Sequence, residues 1–220
     1  MKKTLLTLTL LASVTCSTAF AAEKTFPLEA FSAVEARQGI NLTIKCAATP
    51  SMVVSGSQDT LNKLKVTQNN HALLLVNDAA ENDRFISHTL DITLYTSGPL
   101  NSLAGRAGVK IAAPACAVDP STLAISGSMG TEIRAEGKTT ELNLDLAMGG
   151  SFNKKPQDFT AESANVRMSM GAESSLCHIA RIQGTLAAGA RVSVSASAQV
   201  DTGTASTFAR DRQLYVTGLS

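Results

Sequence analysis

Five glycines at near-regular intervals constrain the fold of this chain more than any other feature. Gly108, Gly130, Gly149, Gly171 and Gly189 lie 22, 19, 22 and 18 residues apart. Each closes a short run of similar character: Leu103 to Gly108, Ile125 to Gly130, Leu144 to Gly149, Val166 to Gly171 and Leu186 to Gly189. The residue before each glycine is Ala107, Met129, Met148, Met170 or Ala188. Around the glycines the apolar residues alternate, as in Leu142, Leu144 and Leu146, in Val166, Met168 and Met170, and in Val192 and Val194. A period of two belongs to strands with one buried face. Glycine turns a chain sharply at positive φ without a Cβ penalty. Short strands in a repeat of about 20 residues predict an all-β chain. The specific expectation is a parallel β-solenoid (β-helix-like) of roughly 20-residue coils with an irregular capped N-terminal part. A sandwich of hairpins is the competing all-β reading, but it supplies no reason for the apolar, Met/Ala, Gly order to recur. Stacked coils would set equivalent positions about 4.8 Å apart. Met129, Met148 and Met170 are then expected as one internal ladder, with Met148 the most enclosed.

The 220 residues suffice for one large all-β domain or two small ones. With no linker rich in Pro or Ser, residues 22–220 are read as a single domain. There is no Trp and there are two Tyr. No Lys/Arg-rich run exists, so the electrostatic footprint of a nucleic-acid binder is missing. Residues 1–21 have the form of a signal peptide: Lys2 and Lys3, an apolar run from Leu5 to Val14, then Ala19-Phe20-Ala21 at the cleavage site. That run is too short to span a bilayer, and no later segment is long enough. Removing Lys2 and Lys3 takes the net charge from +1 to −1, which gives no general attraction to membranes or polyanions. Cys16 is preceded by Ser13-Val14-Thr15, which lacks the residues that lipidation normally requires. Cys46, Cys116 and Cys177 remain after export, enough for one internal disulfide and one thiol outside it. Their spacings are too wide for a structural zinc motif.

Along the chain, Phe26, Leu28, Phe31 and Val34 suggest an extended segment capping an open end. Ile40, Leu42 and Ile44 face one way in the clearest strand, with Asn41 and Thr43 opposite. Met52-Val53-Val54 is a further short strand. Residues 59–64 suggest one helical turn with Asp59 as N-cap. Lys65 to Thr67 and Leu73 to Val76 flank Asn69-Asn70, which reads as a hairpin turn. Asn77 to His88 is a polar stretch carrying Asp78, Glu81, Asp83 and Arg84, and it reads as a mobile loop. Leu90, Ile92 and Leu94 alternate again before Gly98-Pro99.

Gly39-Ile40-Asn41, after Phe31-x-x-Val34, carries a resemblance. With the glycine repeats, and on to Leu214-Tyr215-Val216, the chain resembles the head GIN domain family, described as putative auto-transporter adhesins. The resemblance implies a secreted all-β solenoid and an adhesin-like role. Repeats of that family commonly read Ser-Gly-Ser-Gly and then a polar residue. Here they read Ser126-Gly127-Ser128-Met129-Gly130 and Ala147-Met148-Gly149-Gly150, and the later copies lack the leading Gly.

Candidate chemistry is sparse. His71, His88 and His178 are scattered, whereas metal sites bring ligands together at short spacing. His71 and His88 read as solvated. Cys177-His178 would point to opposite faces of a strand, which does not make a nucleophile and its base. Met129, Met148, Met168 and Met170 offer thioethers to Cu(I). Since Ala107 and Ala188 fill the same place in the repeat, packing is the preferred reading. No G-x-S-x-G and no phosphate-binding loop occur. Asp119, Glu132, Glu136, Glu141, Asp145, Asp158, Glu162 and Glu173 fall at different offsets from the glycines, so convergence on a catalytic pair is not expected. Asn41-Leu42-Thr43 fits the N-glycosylation pattern by chance. No catalytic, metal or cofactor residue is therefore assigned, no cofactor is expected, and the ligand-binding residues are left open.

The expectation is an exported, non-catalytic binding or adhesion module of the cell envelope, periplasmic or at the cell surface. Its partner would be an unknown envelope protein or glycan, with self-association possible through solenoid ends. The rivals are a glycan-processing enzyme on a β-helix scaffold and a structural envelope subunit. Clustered acids on one flank would favour the enzyme. A flat Ser/Thr-rich flank would favour binding.

Overall fold

A computed structural model describes residues 22–81, 89–155, 158–201 and, for the backbone, 213–216. The signal peptide expected at residues 1–21 and most of the loop ending at His88 lie outside the described residues. The strands run in the order β1 (Ala22–Pro27), β2 (Ala33–Arg37), β3 (Ile40–Cys46), β4 (Ser51–Gly56), β5 (Leu64–Asn69), β6 (Ala72–Asn77) and β7 (Leu90–Thr96). They continue with β8 (Ser102–Arg106), β9 (Lys110–Ala113), β10 (Thr122–Ser128), β11 (Glu132–Ala135), β12 (Gly137–Leu146) and β13 (Ser151–Phe152). The last are β14 (Phe159–Met168), β15 (Glu173–Leu176), β16 (Ile179–Leu186), β17 (Arg191–Val194), β18 (Gln199–Asp201) and β19 (Gln213–Val216). The α-helix α1 (Gln58–Asn62) is capped by Ser57, whose Oγ accepts from the Thr60 N–H at 3.2 Å. The cap is thus two residues upstream of the expected Asp59.

These strands build two sheets. The ten-stranded sheet has the order β1-β4-β7-β3-β9-β11-β13-β15-β17-β19, and the nine-stranded sheet β18-β16-β14-β12-β10-β8-β2-β6-β5. Alternation decides which residues enter the space between them. In the nine-stranded sheet Leu73, Val34, Leu103, Ile125, Leu144 and Val166 stand in one register row. All are buried. In the other sheet Ile92, Leu42, Ile111, Ile133 and Phe152 do the same. One apolar cluster runs from Phe31 to Val194, and removing such surface from water is the dominant favourable term in folding. Phe152 and Phe159 meet edge to face, with ring centroids 5.4 Å apart.

The architecture is a two-sheet, sandwich-like fold with mixed pairing, and it overturns the expected parallel β-solenoid. The part expected to be an irregular cap supplies seven regular strands, β1 to β7, to both sheets. The pairs β1–β4, β4–β7 and β5–β6 are antiparallel. Strand order also departs from chain order: β3 lies between β7 and β9, and β2 between β6 and β8. The chain therefore does not close as a solenoid.

The repeat has another physical origin. Each glycine turn carries the chain from a strand of the nine-stranded sheet to one of the ten-stranded sheet: β8 to β9, β10 to β11, β12 to β13, β14 to β15 and β16 to β17. Gln38-Gly39, between β2 and β3, is an earlier copy of the same left-handed turn. In the copy at Ala147–Gly150 the Gly150 N–H donates to the Ala147 carbonyl at 2.9 Å. Both central residues have positive φ, 50° at Met148 and 72° at Gly149, the pattern of a type I′ turn. The turns also bond to one another. The N–H groups of Gly39, Gly108, Gly130, Gly149 and Gly171 donate to the carbonyls of Ala107, Met129, Met148, Met170 and Ala188, at 2.9 to 3.1 Å. A recurring crossover thus accounts for the recurring sequence.

This geometry also corrects the expected methionine ladder. Met129, Met148 and Met170 are the left-handed residues at the outer bend of each turn, and they are 45%, 52% and 55% exposed. Alternation ends at Leu146 and Met168, which point inward and are buried. The next inward residue comes only after the turn.

Candidate functional site: the polar face of the nine-stranded sheet

Strands β8, β10, β12, β14 and β16 present their outward residues in register rows. One row runs Ser102, Ala124, Asn143, Asn165, Gln183. The next runs Ala104, Ser126, Asp145, Arg167, Thr185. Small side chains at one end and long polar ones at the other leave an open depression of about 840 Å³. Parallel in-register pairing places like residues side by side, and here it builds an amide ladder. Gln183 Nε2 donates to Asn165 Oδ1. Asn165 Nδ2 donates to Asn143 Oδ1 at 3.0 Å and to Glu141 Oε1 at 2.8 Å. Beside it, Arg167 and Asp145 approach to 3.8 Å with both side chains largely exposed. Such an exposed pair contributes little stability.

Sequence reasoning missed this ladder, although a signal was present. Asn143, Asn165 and Gln183 each lie six residues before a repeat glycine, at Gly149, Gly171 and Gly189. Aligning the repeats on their glycines, and comparing the outward positions, would have found them.

Several of the acids have separate partners. Glu141 and Asp145 share this face, with Glu141 bonded to the Asn165 amide and Asp145 beside Arg167. Glu132 bonds Arg134 on the ten-stranded sheet, and Glu173 bonds Lys154 there at 2.6 Å. That contact holds the Lys154 ammonium above its usual pKa, first through its hydrogen bond to Glu173. Asp119 Oδ1 accepts from the N–H groups of Ser121 and Thr122 at 2.8 and 3.0 Å, a local turn. Glu136 and Asp158 are exposed outside the strands of this face, and Glu162 is exposed on β14 itself.

The remaining candidates also stand apart. His71 is exposed in the β5–β6 hairpin turn, which centres on Asn70-His71 rather than Asn69-Asn70, and its Nδ1 lies 3.2 Å from the Ala30 carbonyl oxygen. His88 is outside the described residues. Cys177 and His178 form the turn between β15 and β16 rather than lying on a strand; Cys177 is half-buried with Sγ 3.3 Å from Ser175 Oγ, and His178 is exposed. Cys46 and Cys116 form a disulfide, with Cα atoms 6.3 Å apart. Asn41 Nδ2 donates to Asp91 Oδ1 at 2.8 Å across neighbouring strands. Among the described residues, no group of three His, Cys, Asp or Glu could hold a metal ion. Among them, too, no helix is long and apolar enough to cross a membrane.

Comparison with solved structures finds chains similar to this one, of which the first supports the fold. A crystal structure of a putative adhesin from Bacteroides fragilis is 11% identical with a TM-score of 0.62, covering 84% of this chain and 93% of that one. A putative adhesin from Parabacteroides merdae is 13% identical with a TM-score of 0.47, covering 83% and 88%. A putative lipid binding protein from Parabacteroides distasonis is 10% identical with a TM-score of 0.43, covering 83% and 92%. No curated protein matches the chain. The family model described as "Putative auto-transporter adhesin, head GIN domain" matches residues 30–198, and the chain belongs to that family.

Proposed function

We propose that the protein is an exported, non-catalytic binding module of the cell envelope, whose binding surface is the polar face of the nine-stranded sheet. The observation that carries this reading is the ladder of Asn143, Asn165 and Gln183 on an open face. Amide, carboxylate and guanidinium groups arrayed at strand spacing suit a partner rich in hydroxyl or amide groups, such as an envelope glycan or an extended protein segment. The adhesin description of the family agrees with such a role. Export is supported by Lys2-Lys3, the run from Leu5 to Val14 and Ala19-Phe20-Ala21. The Cys46–Cys116 bridge agrees with it, since disulfides persist in oxidising compartments. Residues 22–220 would then be the mature, single-domain chain, periplasmic or at the cell surface.

Fractionation with intact-mass measurement tests the first half: the exported form should begin at Ala22 or one residue later. Retention of Met1, or a lipid on Cys16, would overturn it. Incubating the purified mature chain with a panel of envelope polysaccharides and envelope extracts tests the second half. Saturable binding without any change in the bound material's mass supports a binder. Time-dependent cleavage of a polysaccharide would mean an enzyme.

A further inference from the structure

Met129, Met148 and Met170 belong neither to the core nor to the polar face. Their backbone carbonyls accept from successive turns, which puts the three on consecutive rungs, about 4.8 Å apart. Each is about half exposed. Each also has φ between 50° and 55°, a region where a bulky L-residue is strained and Gly or Asn is at ease. Burial does not offset that strain. Nothing lies within 4 Å of a Cβ built on the neighbouring Gly130, Gly149 or Gly171, so this edge is open. Alanines, Ala107 and Ala188, bound the row at either end.

We propose that the three thioethers form a site for a soft monovalent metal ion of the Cu(I) class. Thioether sulfur is a soft, neutral donor that selects Cu(I) over harder ions. Met148 holds the middle rung with one methionine on either side. Three rotatable bonds allow each side chain to bridge the rung spacing and bring its sulfur toward a shared ion. The row is too small to dock a protein: three half-exposed side chains offer on the order of 300 Å², against about 800 Å² per partner in a stable interface. A thioether carries no proton at ordinary pH, so binding should be flat between about pH 5 and 8, where thiol and imidazole ligands lose ions to protons.

The test uses the full chain with thiols alkylated by iodoacetamide, which removes Cys177 as a ligand, and Ag(I) as a redox-inert probe. Native mass spectrometry should show one Ag(I) per chain. With methyl-labelled methionine, the methyl signals of Met129, Met148 and Met170 should shift together. Those of the buried Met52 and Met168 should stay in place. Met148→Leu should weaken binding about 100-fold, and Met129→Leu or Met170→Leu about 10-fold, with melting unchanged. Three outcomes would each overturn the site: no stoichiometric Ag(I), affinity untouched by Met148→Leu, or affinity that collapses between pH 8 and 5.

Discussion

The side-chain amide of Asn153 takes the place of a strand backbone opposite Ala135. Its Oδ1 accepts from the Ala135 N–H and its Nδ2 donates to the Ala135 carbonyl, both at 2.9 Å. Strand β13 has only two residues, so the ladder to β11 would otherwise end before Ala135. Asn153 is 2% exposed and has φ of 43°, which Asn tolerates better than most residues. Asn153→Ala should leave two buried backbone groups unpaired and cost about 2 to 4 kcal/mol in chemical denaturation. Asn153→Asp keeps the acceptor but sets a carboxylate against the Ala135 carbonyl, so it should not restore stability.

Gly184 and Gly171 separate steric conflict from backbone strain. A Cβ on Gly184 would fall 1.8 Å from the Val166 carbonyl oxygen in the neighbouring strand, at φ of 141°. Gly184→Ala should therefore cost about 3 kcal/mol or more. Gly171 has φ of 71° with open space around it, so Gly171→Ala should cost only about 1 kcal/mol. Val, branched at Cβ, should raise that to about 1 to 3 kcal/mol at Gly171 or Gly149. Melting curves of the four variants check the order.

Met148→Ala and Met168→Ala should diverge although both lie in the repeat. Met148 is half exposed, so its truncation should stay within about 0.5 kcal/mol. Met168, the last residue of β14, is 1% exposed, and its loss should cost about 2 to 5 kcal/mol through burial and a cavity. Equal costs in denaturant would mean that the methionines before the glycines are packed after all.

The Cys46–Cys116 bridge ties β3 to the segment after β9, across 70 residues. In the chain-entropy model a loop of that length is stabilised by about 4 kcal/mol. Unfolding with and without a disulfide reductant should differ by that order. A midpoint indifferent to reductant would contradict the bridge.

Period-two alternation was legible wherever a strand buries one face, hence Ile40, Leu42 and Ile44, and Leu142, Leu144 and Leu146, stand where the sequence reading put them. Alternation is silent about which strand lies beside which. Leu90, Ile92 and Leu94 announce β7 without announcing that it pairs β3 in parallel and β4 antiparallel. The glycine repeat was visible, but a crossover between two sheets and a corner between stacked coils demand the same residue. Met129, Met148 and Met170 were misread because a two-residue left-handed turn shifts the alternation phase at the bend, which no apolar count reveals. The amide ladder went unseen because Asn143, Asn165 and Gln183 become neighbours only through register.

The most direct test of the binding account replaces that ladder. Asn143→Ala, Asn165→Ala and Gln183→Ala are combined in one chain and compared with the unaltered protein. Fluorescently labelled protein is titrated onto cell-envelope fragments, with unlabelled protein as competitor and circular dichroism as the check on folding. The account predicts saturable, competable binding by the unaltered chain, weakened at least about 10-fold in the triple variant, whose strand signal is retained. Equal binding by the two folded proteins would place the contact surface elsewhere and contradict it.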